Sequence, residues 1–598
     1  MSLPEKVGQM TQAERMTCTP EQAAKYNLGS ILSSAGSSPE NNHPQAWVDM
    51  VDSYWQAGFK YPRAHKHIPI MYGLDAIHGN NNVYGATVFP HNIGLGATGD
   101  AALISKTAEI TRREVLATGV DWVFGPNLSV ARDKHWGRTY ESFSETPEVV
   151  SEYAPLLVNA LQNDLDIDSV IACVKHWIGD GGTHQGIDQG DTRLPYAELM
   201  RIHGAPYEHA IEAGVLTVMC SFSSFNGTKC HANRFLLTDV LKGQLGFPGF
   251  VVSDMQGIDY LSDDFYRAVE QGVNAGIDMF MLPENWQAFI EHLINHVEMG
   301  SVSMSRINDA VSRILYVKMA YGLFDKPNPK RRIWSNHSSF GSDEHRAIAR
   351  EAVRKSQVLL KNQDILPLRK DARVYVAGKN AHNLGHQCGG FTITWQGVSG
   401  NDTIKGTSIF EGIQALCETA TLASDMLGQD VAAEDCDVAI VVIGEKPYAE
   451  GMGDIREGND NIVKAGSMVN GQLNVIKPKG SSLELGDLYP EDIALINNLH
   501  KKGIPIVTLL VSGRPLLIQD ALSKSKAFVA SWLPGSEGAG IADVLFGDAD
   551  FTGRLACSWP KQSRPTVNVG DKDYQVLFPF GYGLSYQSQK DVEQQQTA

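Results

Sequence analysis

Between residues 68 and 325 short apolar runs alternate with longer segments of helical periodicity, and this alternation constrains the fold more than any other feature of the chain. The runs at 68–72, 122–124, 170–174, 216–220, 250–252 and 279–282 are of strand length and rich in β-branched and large apolar residues, as strands covered on both faces are. Strands separated by helices pair in parallel as βαβ units, and a span of about 250 residues is the size at which such units close into a barrel. The expected fold is α/β, with an N-terminal (β/α)8 TIM-like barrel over residues 1–325.

A chain of 598 residues exceeds the roughly 250–300 residues that one core serves, so a second domain is required. Pro327, Pro329 and the basic run Lys330-Arg331-Arg332 interrupt the pattern and mark a linker over 326–341. Beyond it, runs at 374–377, 438–443, 506–511 and 528–531 with helical segments between them predict a smaller α/β sandwich over 342–556. A tail, 557–598, is expected to pack back on the domains, with its polar end, 591–598, frayed.

The acidic excess, 68 Asp and Glu against 51 Lys and Arg, gives a net charge of −17, which repels phosphate backbones and anionic lipid. No apolar stretch reaches the roughly 18 residues that span a bilayer. Nucleic acid and membrane are therefore excluded as expected partners. The eight cysteines form no CxxC pair, so neither a zinc site nor a disulfide framework is indicated, and no metal or cofactor is expected. The first residues, MSLPEKVGQM, lack the basic start and apolar stretch of a secretory leader, and the compartment stays open: periplasmic or secreted if a leader precedes the numbered chain.

Polar residues cluster where strands end, the positions that build the catalytic face of a β/α barrel. Asp254 closes the run GFVVSD; Asp75 follows 70–72 in GLDAIHG; Arg138 lies in WGRTYESFSE; Lys175 and His176 close IACVKHW. Two acids, two cations and an imidazole on one face suit a polyhydroxylated ligand, whose adjacent hydroxyls match carboxylate and guanidinium forks. Helix capping by Asp254, and structural ion pairs for Lys175 and Arg138, are the plainer readings of the same residues.

Over nearly its whole length the chain resembles glycoside hydrolase family 3, above all its plant-type exo-β-glucan glucohydrolases and β-glucosidases. The motifs are LPEKVGQM, GLDAIHGNNNVYGATVFPHNIGLGAT, WGRTYESFSE, KHWIGDGGT, GFVVSDMQGID, GGFTITWQG, WLPGSEGAGIADVLFGDADFTGRL and FPFGYGLSY. The resemblance implies a retaining exo-acting β-glucosidase that releases glucose from β-gluco-oligosaccharides or β-glucans. It implies Asp254 as nucleophile and Asp75, Arg138, Lys175 and His176 as ligands of the first sugar. A retaining glycosidase also needs a protonated carboxyl about 5 Å from the nucleophile. In VVIGEKPYAEGMGD the candidates are Glu445, Glu450 and Asp454; the resemblance selects Glu450, with Glu445 next. Trp395 resembles one aromatic wall of the leaving-group subsite. Met255 stands where the relatives carry the opposing Trp, and Phe222 where they carry a Tyr.

The alternatives are a β-xylosidase or β-N-acetylglucosaminidase of the same family, a metal-dependent hydrolase, or a non-catalytic sugar-binding protein. The N-acetylglucosaminidase reading lacks its Asp-Ser-x-His signature, and His176, Asp180, His184 and Asp188 match no metal-ligand spacing.

Overall fold

A computed structural model describes residues 1–63, 66–455 and 482–587, together with the backbone of the strands Gly466–Val469 and Gln472–Val475. The expected frayed end, 591–598, lies outside the described residues. Eight strands form the barrel: β1 (Thr11–Glu14), β2 (Ser30–Ser33), β3 (Met71–Leu74), β4 (Trp122–Val123), β5 (Ile171–Trp177), β6 (Thr217–Cys220), β7 (Phe250–Val252) and β8 (Phe280–Leu282). Consecutive strands pair in parallel from β1 to β7, and β8 pairs with β1. The last seam, β7 to β8, is held by one bridge, Val252 to Met279. There the Ser253 hydroxyl accepts the Met281 N–H at 2.8 Å in place of a ladder carbonyl, so the chain leaves the sheet without orphaning a donor.

Two barrel strands, β1 and β2, precede residue 68, where the sequence reading placed none. They read TQAE and SILS, half polar, yet every residue in them is buried. Several of their polar groups are hydrogen-bonded inside the barrel: Gln12 donates to Ser30 Oγ at 2.8 Å, and Ser33 Oγ lies 2.8 Å from Tyr72 Oη of β3. Apolar runs cannot reveal strands whose buried side chains are hydrogen-bonded. Strand β5 also runs three residues past the expected 174, carrying Lys175 and His176 within the barrel wall.

The second domain is a six-stranded sheet of β9 (Val358–Asn362), β10 (Val374–Ala377), β11 (Thr421–Leu422), β12 (Val438–Gly444), β13 (Ile506–Val511) and β14 (Ala527–Trp532), in the order β9-β14-β13-β12-β10-β11. Only β9 runs antiparallel to its neighbour. Each domain has its own apolar core, around Trp122, Phe250 and Phe280 in the barrel and Val441, Leu509 and Val529 in the sandwich.

Residues 326–341 run along the barrel base, where Arg332 pairs with Asp121 at 2.7 Å and Trp334 donates to Asp168 at 2.5 Å. The tail turns back onto the barrel through Glu145, which is fully buried. Its carboxylate accepts from Ser558 N (2.9 Å), Ser558 Oγ (2.6 Å) and Val569 N (2.8 Å), and pairs with Lys134 at 2.5 Å. Among the described residues no helix is long and apolar enough to cross a membrane.

Candidate active site

Strand β7 enters the barrel beside β6 because Gly249 has no side chain: a Cβ there would lie 2.0 Å from the Leu216 carbonyl. Ser253 is spent on the β8 seam, and Asp254 is the first residue whose carboxyl is free at the C-terminal face. Its Oδ1 accepts the Met255 N–H at 2.7 Å, and its own N–H donates to His231 Nε2 at 3.0 Å. Its Oδ2 is buried without a hydrogen-bond partner among the described residues. The carboxylate is thus held by one oxygen, and the other lies buried 3.6 Å from His176 Nε2. Burial raises its pKa to about 7, against the pull of Arg138 and Lys175.

Arg138 precedes a single 3-10 turn, Thr139–Glu141, which brings Glu141 back onto its guanidinium. The pair is bidentate, Nε to Oε1 at 2.6 Å and Nη2 to Oε2 at 2.9 Å. Nη1 of the same guanidinium reaches Glu450 Oε1 at 2.9 Å, and Nη2 lies 3.3 Å from His176 Nε2. His176 Nδ1 meets Asp180 Oδ2 at 2.8 Å, a pattern that assigns the proton to Nδ1 and leaves Nε2 as an acceptor. Burial, with Arg138 and Lys175 alongside, pushes the imidazole pKa well below its usual value, so His176 is neutral. Its Nε2 stands 3.6 Å from Asp254 Oδ2. Lys175 Nζ pairs with Asp75 at 2.6 Å.

The exposures sort these groups by role. The side chains of Asp75, Glu450 and Asp254 are 17%, 15% and 10% exposed, those of Arg138, Lys175 and His176 only 5%, 3% and 3%. The acidic side chains are therefore the more exposed members of the cluster, and the cations lie deeper. The ion pairs with Asp75 and Glu141 do not compete with a ligand role for these carboxylates and cations, because a charged lining has to be internally compensated to be buried at all.

Glu450 arrives from the other domain. After β12 the chain crosses to the barrel rim, where Tyr140 Oη donates to the Tyr448 carbonyl at 2.7 Å and Ala449 N donates to Gln396 Oε1 at 2.7 Å. Burial and the neighbouring carboxylates of Asp254, Asp188 and Glu141 raise the Glu450 pKa to about 8. The 2.9 Å contact with Arg138 pulls the other way. Burial outweighs it, helped by the three neighbouring carboxylates.

Glu445 is differently employed. Its Oε2 accepts from Tyr448 Oη (2.6 Å) and Gly513 N (2.9 Å), and its Oε1 lies 3.2 Å from Nε of Arg514, which is fully buried. Glu445→Ala strips a buried guanidinium of its counter-ion and is expected to cost about 3–5 kcal/mol of stability. Thermal unfolding checks this; an unchanged Tm with a rate loss confined to poor leaving groups would move the acid role from Glu450 to Glu445.

Trp395 is half-buried in a loop pinned to the barrel: His78 Nε2 to Thr392 Oγ1 at 3.0 Å, Ile393 N to Asn81 O at 2.8 Å, and His91 Nε2 to the Gly390 carbonyl at 3.1 Å. Met255 follows the Asp254 turn and packs on the barrel core. Phe222 is buried, with its ring edge-on to Tyr260 at 5.8 Å.

The structure thus gathers Asp75, Arg138, Lys175, His176, Asp254 and Glu450 into one connected polar cluster. Sequence reasoning left out Glu141, Asp180, His231 and Asp454 as parts of its frame. The three-residue spacing in RTYE was a signal for the Arg138–Glu141 pair. A lone His231 in the 3-10 turn Cys230–Ala232 and an Asp180 whose partner precedes it across a tight turn carry no such pattern.

Two family models cover most of the chain: the glycosyl hydrolase family 3 N-terminal domain over residues 2–317 and its C-terminal domain over 357–586. A lysosomal β-glucosidase of Dictyostelium discoideum is 31% identical over 98% of this chain and 75% of its own length. A β-xylosidase of Formosa agariphila is 31% identical over 87% of this chain and 75% of its own. Among solved structures, an exo-1,3/1,4-β-glucanase from a Pseudoalteromonas species superposes with a TM-score of 0.90 at 42% identity, covering 98% of this chain and 73% of that one. A (β/α)8 barrel joined to an α/β sandwich, with carboxylates converging from both, is the architecture on which these matches fall, and the chain belongs to glycosyl hydrolase family 3.

Proposed function

We propose that this protein is a retaining, exo-acting β-glucosidase, or β-glucan glucohydrolase, working by double displacement. Asp254 attacks the anomeric carbon through its unpartnered Oδ2 and forms a glycosyl–enzyme ester. Glu450 protonates the departing oxygen, then takes a proton from the water that hydrolyses the ester. Asp75, Lys175, Arg138 and His176 hold the hydroxyls of the terminal sugar. The observation that supports the reading is the pairing of an oriented carboxylate, one oxygen of which has no hydrogen-bond partner among the described residues, with a second, half-buried carboxyl held 2.9 Å from Arg138. A non-catalytic sugar-binding protein has no use for two such groups.

Initial rates on β-1,2-, β-1,3-, β-1,4- and β-1,6-linked glucobioses, with aryl glucosides and aryl xylosides, test the substrate class. Glucosides are expected to lead. Preference for the xyloside would install instead the activity named for the Formosa relative.

The leaving-group side is proposed to have one aromatic wall, Trp395, with the narrower thioether of Met255 in place of a second. A lost aromatic contact is worth on the order of 1 kcal/mol. Met255→Trp is therefore expected to lower KM for disaccharides up to about tenfold and flatten the linkage profile, leaving aryl-glucoside turnover little changed. Unchanged disaccharide kinetics, or a harmless Trp395→Ala, would dismiss this arrangement.

A further inference from the structure

Glu450 belongs to the sandwich domain, whereas the sugar it must protonate would be held by the barrel. Something has to fix one against the other, since a 1 Å misplacement of a catalytic group costs on the order of 100-fold in rate. The connection lies a few residues on. Asp454 is buried, and each of its oxygens accepts a backbone N–H from a different barrel loop: Oδ1 from Gly137 at 2.8 Å, Oδ2 from Asp188 at 2.8 Å. The two loops are themselves tied by Trp136 Nε1, which donates to Asp188 Oδ1 at 3.0 Å. Ile455 N then donates to the His135 carbonyl at 2.9 Å.

The approach is close enough to exclude any side chain at Gly137. A Cβ there would lie 2.9 Å from both Asp454 N and Asp454 Oδ1. Gly137 also adjoins Arg138, whose guanidinium meets Glu450. The Asp454 carboxylate, together with the Ile455–His135 and Tyr140–Tyr448 contacts, therefore ties the loop bearing Glu450 to the segment bearing Arg138. Hydrogen bonds to an ionised acceptor are short and about twice as strong as neutral ones, which suits a clasp. Both oxygens of Asp454 are engaged by the main chain, whereas Glu450 faces the opening.

We propose that Asp454 is a positioning residue that clasps the acid/base loop to the barrel rim and so sets the reach of Glu450; this rests on the reading of Glu450 as acid/base. The test compares kcat/KM for 2,4-dinitrophenyl β-glucoside, whose departure needs no proton, with that for methyl β-glucoside, whose departure does. In Asp454→Ala the ratio of the two is expected to rise about 100-fold, with the dinitrophenyl value within roughly fivefold of the parent. Gly137→Ala, which opens the same contact from the other side, should move the ratio in the same direction. Asp454→Asn keeps one acceptor oxygen and should fall between; it carries the test by itself if the alanine variant does not fold. A ratio that stays at the parental value, whether both rates fall together or neither does, overturns the proposal. Glu450→Ala measured in parallel separates the two readings: if it shows the leaving-group split and Asp454 variants do not, only the clasp fails; if it shows none, the Glu450 assignment fails and takes the clasp with it.

Discussion

Asp254→Ala is expected to lose at least about four orders of magnitude in kcat on every glucoside, whatever its leaving group, while the protein stays folded. Without the carboxylate no glycosyl–enzyme ester forms, and the loss corresponds to roughly 5.5 kcal/mol of transition-state stabilisation. Folding should survive because, among the described residues, the Asp254 carboxylate makes one internal hydrogen bond, to Met255 N, and its other oxygen makes none. Removing it also relieves the cost of burying a charge whose pKa is raised by that burial. Azide in the medium should enter the vacated space and attack activated glucosides from the same face, giving an α-glucosyl azide. A variant that retained more than about one per cent of parental activity on aryl glucosides would require another nucleophile.

Glu450→Ala should behave otherwise. The acid matters in proportion to the basicity of the departing oxygen, so kcat/KM on disaccharides and alkyl glucosides is expected to fall about 10³-fold or more, and on dinitrophenyl glucoside little. Turnover of the latter becomes limited by hydrolysis of the ester, now without its base, and azide should restore it while yielding a β-glucosyl azide. The pH profile gives a second handle. As the proposed acid, Glu450 would work protonated, and its raised pKa keeps the proton through neutral pH; the rate is then expected to fall as pH rises through that value. As the proposed nucleophile, Asp254 would work ionised, so the rate is expected to fall as pH drops through its own, also raised, pKa. Glu450→Gln should abolish the alkaline limb and leave the acid limb. Loss of the acid limb instead would exchange the two roles.

Most of the barrel was legible because the strands from β3 onward are largely apolar and the candidate site residues lie at or just after their ends. The run Phe250-Val251-Val252 ends in Ser253-Asp254, and the fold puts the carboxyl at the rim for the reason the pattern suggests. Strands β1 and β2 were illegible because their polar residues are buried in pairs, such as Gln12 with Ser30, and such pairing is a three-dimensional fact. The same holds for the frame of the site. Gly137 and Asp188 stand 317 and 266 residues from Asp454, and their contacts with it run through backbone N–H groups, which no side-chain pattern encodes. Glu445 and Glu450 look alike in GEKPYAEG; only the buried Arg514 beside the first distinguishes a scaffold carboxylate from one facing the opening.

The central claim, that Asp254 is the group that bonds to the sugar, is tested most directly by trapping the ester. A 2-deoxy-2-fluoro-β-glucoside with a good leaving group slows both steps but the second more, so the glycosyl–enzyme accumulates. Peptide mass spectrometry of the inactivated protein is expected to place one fluoroglucosyl group on the peptide spanning GFVVSDMQGID, at Asp254. A label on Glu450, Asp75 or any other carboxylate would contradict the account.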